Sequence, residues 1–288
     1  MQSKEIDIIS KDGVKIPAFI YDNDGNETVK GVVIIVHGFG EYSGSYKELA
    51  ERLGQANYSS VIFDQRGHGT LSEHSPEKRK KYHGIIPDYQ SFLDDIDAII
   101  VKIKEQKPDV PIILYGHSMG GNIAANYLLK HRQSDFSCAV LESPCFGLYK
   151  EVSPVLSVIA AILGRLSPKI AIINKLPSTD VTSDKTKSDE MSNDPLYHNR
   201  ISFRMFAGIK KACAYAINNA AQLSIPIYLT YAKNEKIVSN PAIQKFYSSC
   251  GSNVIIKEYE SYHAIHNDII REEFYEDMIN FLEKYSKN

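Results

Sequence analysis

The sequence predicts an α/β fold: a mostly parallel central sheet flanked by helices, with an inserted helical cap. Three observations carry this. Short β-branched runs recur along the chain and alternate with segments of helical periodicity. The runs are continuously apolar, as strands buried on both faces of a parallel sheet are. The alternation also stops between about 145 and 222 and then resumes, so one stretch is added to an otherwise regular plan. A chain of 288 residues with 43% hydrophobic content is long enough for one such domain and an insertion.

The first residues, IDII and VKIPAFIY on either side of Lys11-Asp12-Gly13, read as an antiparallel hairpin on the sheet edge. The buried strands follow: KGVVIIVHG near 30 to 38, YSSVIFD at 58 to 64, VPIILYG at 110 to 116, SCAVLES at 137 to 143, IPIYLTY at 225 to 231 and NVIIKEY at 253 to 259. The clearest helix is PDYQSFLDDIDAIIVKIKEQK. There Tyr89, Phe92, Leu93, Ile96, Ile99, Ile100 and Ile103 share one stripe, and Pro108 ends it.

Between about 145 and 222 no convincing strand is visible, only helical patterns and the polar segment STDVTSDKTKSDEMSNDP. This insertion enters after SCAVLES and leaves before IPIYLTY. That places it over the carboxyl edge of the sheet, where open α/β folds bind ligands. The organisation is therefore a core of residues 1–144 and 223–288 with a cap, or lid, of 145–222. Within the cap, Val155 to Ile173 is the longest apolar stretch. Arg165, Pro168 and Lys169 interrupt it, so it reads as an amphipathic helix and not a bilayer span.

Charge excludes one class of partner. The 33 Lys and Arg against 35 Asp and Glu leave a net charge of −2, so no global field favours nucleic acid. The basic run EKRKK, Glu77 to Lys81, reads as a solvated loop. Cys138, Cys145, Cys213 and Cys250 are scattered without a CxxC pair, which suits free thiols in a reducing, cytoplasmic compartment. The N-terminal MQSKEIDIIS has neither an apolar core nor a cleavage site of the secretory kind.

The chemistry centres on LYGHSMGGN, Leu114 to Asn122. An apolar run leads into Ser118, and GGNIAANYLLKH after it has helical periodicity in Ile123, Tyr127 and Leu128. A strand, a sharp turn and a helix around G-x-S-x-G form a nucleophile elbow, with Gly116 and Gly120 leaving room for close packing. A serine hydroxyl needs a histidine to take its proton and a carboxylate to orient that histidine. In this chain order the acid comes next and the histidine last, each after a strand. His263 directly follows NVIIKEY, and His266 is three residues on. Glu235 is the first carboxylate after IPIYLTY, and Glu142, ending SCAVLES, is a second candidate for the same task. The HAIH spacing lacks a third ligand cluster, so a metal pair is not the reading, and no cofactor is implied. His37, His68 and His117 stand in glycine-containing turns and read as hydrogen-bonding scaffold. For the oxyanion of acyl transfer, backbone N–H donors are expected from Met119, the residue after the nucleophile, and from Phe39 in HGFGEYSG.

HGFGEYSGSY, FDQRGHGTLS, GHSMGGNIA and YHAIHN together resemble the monoglyceride lipase and lysophospholipase group of serine α/β-hydrolases, over nearly the whole chain. DPLYH, Asp194 to His198, resembles a segment near the end of that group's cap. The resemblance implies the α/β-hydrolase fold, Ser118 as nucleophile, His263 as base, an oxyanion N–H at Phe39, and an apolar mobile cap that admits an acyl chain and touches membrane. The group carries aspartate where this chain has Glu235 in TYAKNE, and Phe39 is bulkier than its usual counterpart. The expected function is cleavage of carboxylic esters through an acyl-enzyme, with monoacylglycerols or lysophospholipids as substrates. A general esterase for short soluble esters, an acyltransferase and a catalytically silent binding protein are the alternatives.

Overall fold

In chain order the main strands are β1 (Ser3–Ile9), β2 (Lys15–Tyr21), β3 (Gly31–Val36), β4 (Tyr58–Phe63), β5 (Ile112–His117), β6 (Cys138–Glu142), β9 (Ile227–Ala232) and β10 (Val254–Tyr259). They form one sheet in the order β1-β2-β4-β3-β5-β6-β9-β10. β2 runs antiparallel to β1 and β4, and every other neighbouring pair is parallel. The edge hairpin and the six apolar runs thus fall where the sequence puts them. The computed structural model describes residues 3–22, 29–72, 81–174 and 176–286; the basic run from Glu77 lies outside these apart from Lys81.

Five of the six apolar runs reflect burial on both faces; the sixth, β10, stands at the sheet edge and leaves Ile255 exposed, which corrects its reading as a buried strand. Along β3, Val32, Ile34 and Val36 join one core cluster and Val33 and Ile35 the other, because successive side chains point to opposite sides. The first cluster lies under α2 (Gln90–Gln106), α3 (Met119–Lys130), α6 (Phe203–Asn219) and α7 (Asn240–Ser248). The second lies under α1 (Lys47–Gln55) and α8 (Arg271–Tyr285). Each fully buried aliphatic side chain contributes about 1.5–3 kcal/mol. The hairpin turn is fixed to this core by the FDQRG segment: Arg66, 5% exposed, donates to both carboxylate oxygens of Asp12 and of Asp95.

The cap begins with α4 (Pro154–Leu166), which Ser153 caps by accepting from the Leu156 N–H. Then come β7 (Ala171–Ile173), α5 (Lys185–Asn193) and β8 (Arg200–Ser202). β7 and β8 pair antiparallel, which corrects the strandless reading of this stretch. Three residues are too few to show an alternation, and Ile172 and Ile173 face outward. α4 leaves Val155, Leu156, Val158, Ile159, Ile162 and Leu166 exposed, continuous in sequence with exposed Ile170 on the way to β7. Among the described residues no helix is long and apolar enough to cross a membrane.

Three seams hold the cap to the core. The His198 N–H donates to the Gly40 carbonyl and the Ser202 N–H to the Gly84 carbonyl, each at 2.9 Å. Both glycines have positive φ, 78° and 71°, and a Cβ there would stand 2.1 Å from the His198 oxygen and 1.9 Å from the Arg200 oxygen. A second seam runs along 181–184. The Ala264 N–H donates to the Val181 carbonyl, the Thr182 hydroxyl to the Asn267 carbonyl, and the Ser183 N–H and hydroxyl to the buried Asp268 carboxylate. Third, α6 packs its buried side on α3, where the Asn126 side-chain amide donates to the Ala212 carbonyl.

Candidate active site

Ser118 sits between β5 and α3 with φ 53° and ψ −116°, a conformation that costs a non-glycine residue about 1–3 kcal/mol. The surroundings fix it there. Its N–H donates to the Glu142 carbonyl at 2.9 Å, and its own carbonyl accepts from the Cys145 and Asn122 N–H groups. Gly120 is required by close approach, since a Cβ would lie 2.0 Å from the Val36 carbonyl oxygen. The result is a serine whose hydroxyl is aimed away from the sheet, at the ends of β9 and β10.

His263 follows β10 and Glu235 follows β9. The His263 Nε2 lies 2.7 Å from the Ser118 Oγ, and its Nδ1 lies 2.7 Å from the Glu235 Oε2. The carboxylate can only accept, so the proton belongs on Nδ1 and the Nε2 lone pair faces the serine hydroxyl. The other carboxylate oxygen of Glu235 accepts from three successive backbone N–H groups, of Lys236 at 2.9 Å, Ile237 at 2.8 Å and Val238 at 3.2 Å. All three side chains are buried. Burial opposes the charged imidazolium of His263. The Glu235 charge and hydrogen bond, with Glu41 and Glu142 further off, outweigh it and raise the His263 pKa above 6.5. For Glu235 burial pushes the pKa up, but His263 and the backbone N–H groups prevail and hold it below 4.5.

Glu142 does not reach His263. Its Oε1 accepts from the His266 N–H at 3.0 Å and lies 2.9 Å from the His266 Nδ1, while the Tyr115 hydroxyl donates to Oε2. His266 stands in a 3-10 turn, Ile265–Asn267, and not at the start of the last helix. The two histidines of HAIH therefore face different carboxylates and share no common ligand point. Glu41, His117 and His266 do bring potential ligand atoms within 4.8 Å of one another. These groups are engaged in hydrogen bonds: Tyr46 donates to Glu41 at 2.6 Å, and the His117 Nδ1 lies 3.0 Å from the Tyr46 hydroxyl. His37 and His68 also serve neighbours, His37 accepting from the Gln65 N–H and His68 meeting the Arg66 carbonyl.

Phe39 follows β3, and its ring is held edge-on by His68 and His198. Among the described residues, neither the Phe39 nor the Met119 N–H is engaged by a protein acceptor. A cavity of about 320 Å3 opens on Ser118 and His263, lined by Phe39, Leu176, Val181, Met191, Tyr197 and Ile237 among others. A larger one, about 650 Å3, lies between α1 and α5 away from Ser118. It is lined by charged groups such as Glu48, Arg52 and Lys187. Glu41, Tyr46, Tyr115 and Asp268 are polar residues of this region that sequence reasoning did not single out. Glu41 and Tyr46 stand inside HGFGEYSGSY, yet nothing local says which histidine they meet.

Residues 27–270 match the family described as serine aminopeptidase, S33 (Hydrolase_4). An uncharacterized abhydrolase domain-containing protein of Dictyostelium discoideum is 31% identical over 89% of the chain, which spans only 26% of that much longer relative. The phospholipase YtpA of Bacillus subtilis is 29% identical over 88% of the chain and 95% of its own length. The monoglyceride lipase of Mus musculus is 30% identical over 84% of the chain and 78% of its own. Among solved structures, a soluble variant of monoglyceride lipase from Saccharomyces cerevisiae in complex with a substrate analog superposes with a TM-score of 0.82. It covers 100% of this chain and 96% of its own at 24% identity, a likeness of fold.

Proposed function

The chain belongs to the serine aminopeptidase, S33 family of α/β-hydrolases, in the monoglyceride lipase group, and is a carboxylic ester hydrolase; from that premise we propose that it cleaves monoacylglycerols or lysophospholipids through an acyl-enzyme on Ser118. One observation carries the reading of the site: the unbroken Glu235–His263–Ser118 relay, 2.7 Å at each link, opening on a cavity to which the cap contributes Leu176, Val181 and Met191. As the Ser118 oxygen attacks the ester carbonyl, His263 takes the serine proton and passes it to the departing alcohol; a water then repeats the cycle on the acyl-enzyme. Glu235 holds the imidazole tautomer and stabilises the transient imidazolium. The Phe39 and Met119 N–H groups receive the oxyanion, a role worth about 3–4 kcal/mol for a well-placed donor.

The substrate class rests on the names of the relatives and on the cap. Residues 145–222 act as the lid, and its exposed stripe on α4 lies against a lipid surface from which the acyl chain is drawn. The four free cysteines, three of them buried, agree with a reducing cytoplasm. The experiment is a hydrolysis screen over monoacylglycerols, lysophospholipids, soluble esters of graded chain length and an aminoacyl amide, with Ser118→Ala as control. Turnover of the long-chain lipids, lost in Ser118→Ala, is expected. Preference for short esters or for the amide would overturn the substrate class. Unchanged turnover in Ser118→Ala would overturn the nucleophile.

A further inference from the structure

Glu142 is fully buried, accepts three hydrogen bonds through its carboxylate, and takes no part in the relay itself. Its position is unusual because the same residue also holds the nucleophile: the Glu142 backbone carbonyl accepts the Ser118 N–H at 2.9 Å. Its Oε1 meanwhile accepts the backbone N–H of His266, three residues beyond His263. We propose that Glu142 is a positioning residue for the reaction, a bracket between the elbow and the histidine loop that also holds a buried negative charge behind His263. The inference rests on the Ser118–His263 reading above.

The geometry supports both halves. The bracket spans 145 residues of sequence between Ser118 and His263, using two atoms of one residue at the end of β6, one of the two strands that lie between those leading to them. The charge is secure. Burial alone would protonate this carboxyl, but His266 and His117 beside it, with the His266 and Tyr115 hydrogen bonds, bring its pKa down to about 2. A structural brace needs no charge at this depth, since an unpaired buried carboxylate is costly and an apolar side chain would fill the space. The groups around it are Tyr46 from the loop after β3, Tyr115 and His117 from β5, His266 from the turn after β10, and Tyr275 from α8, with Glu41 meeting the same Tyr46, His117 and His266. Of these only Glu41 adds negative charge, so Glu142 is one of two buried anions behind His263 that favour its imidazolium.

The test compares Glu142→Gln and Glu142→Asp with the parent on a soluble p-nitrophenyl ester, measuring kcat and KM across pH, with Ser118→Ala alongside. Glutamine keeps an acceptor for the His266 N–H but removes the charge. Its kcat is expected to fall about tenfold at unchanged KM, and the acid limb of the profile to move down toward 6.5, because neutral His263 is the active form. Aspartate keeps the charge but is one methylene short of His266. Its kcat should fall while the limb stays near the parent's. Parent kcat and an unmoved limb in Glu142→Gln would overturn the proposal. If that variant does not fold, parent kcat in Glu142→Asp overturns it instead. Activity surviving in Ser118→Ala would strike the underlying reading, whereas an inactive Ser118→Ala with unaffected Glu142 variants strikes only this inference.

Discussion

Replacing Glu235 with glutamine isolates the work of its charge. The side chain has two oxygens with different tasks: Oε1 accepts three backbone N–H groups and Oε2 accepts the His263 Nδ1 proton. Glutamine has one carbonyl oxygen and one NH2. Turning the NH2 toward three N–H donors forfeits three hydrogen bonds of about 1 kcal/mol each and leaves buried donors unpaired, so the carbonyl must face the backbone. The NH2 then faces His263 and donates to Nδ1, which puts the ring proton on Nε2, pointing at Ser118. The base is present but holds its proton on the wrong nitrogen. For a serine triad this wrong-tautomer state costs about 10⁴ in kcat, or about 5 kcal/mol at 1.36 kcal/mol per decade. The assay is kcat and KM on a p-nitrophenyl ester, with circular dichroism to show that the backbone loop is intact. A fall of three to four decades in kcat with little change in KM is expected. Activity within tenfold of the parent would refute the assignment of Glu235 as the orienting acid.

Three further predictions rest on burial and charge. The acid limb of kcat/KM should lie above 6.5, since Glu235 and the anions behind it raise the His263 pKa; a limb at or below 6.5 would contradict that. The same shifts couple to stability. The raised histidine contributes stability that is full below pH 6.5 and lost as pH climbs through its folded value. The lowered Glu235 contributes above pH 4.5 and loses it as pH falls through its own, so thermal melts should weaken beyond both limits. On the cap, Val155→Asp with Leu166→Asp, at 69% and 73% exposure, should weaken sedimentation with phospholipid vesicles by about tenfold or more while leaving soluble-ester turnover unchanged. Equal vesicle binding by the double variant would remove the lipid-facing role of α4.

The core was legible because its strands are buried on both faces: β3 is apolar from end to end, and β4 and β5 carry the apolar runs Val61–Phe63 and Ile112–Tyr115. The elbow was legible because its strand, turn and helix are contiguous. Glu235 could be named because it is the first carboxylate after β9. What escaped depends on partners far apart in sequence. Nothing near Glu142 says that its carboxylate meets His266, 124 residues away, and not His263. Asp268 is likewise an ordinary acid before the last helix until Ser183 arrives from the cap. The β7–β8 pair escaped for a different reason, since three-residue strands with exposed isoleucines carry no period to detect.

The two cap carbonyls that press on Gly40 and Gly84 set a rule for anyone who wishes to recombine this protein with its relatives. Transplanting this cap onto a foreign core is not a matter of joining ends after β6 and before β9. The graft must carry glycine at both landing points or a cap backbone routed elsewhere, because any side chain there collides with the His198 or Arg200 carbonyl. This cap therefore moves only as a set of three pieces, the cap and the two distant loops it rests on. A chimera that sets this cap on a core with any other residue at either landing point should misfold.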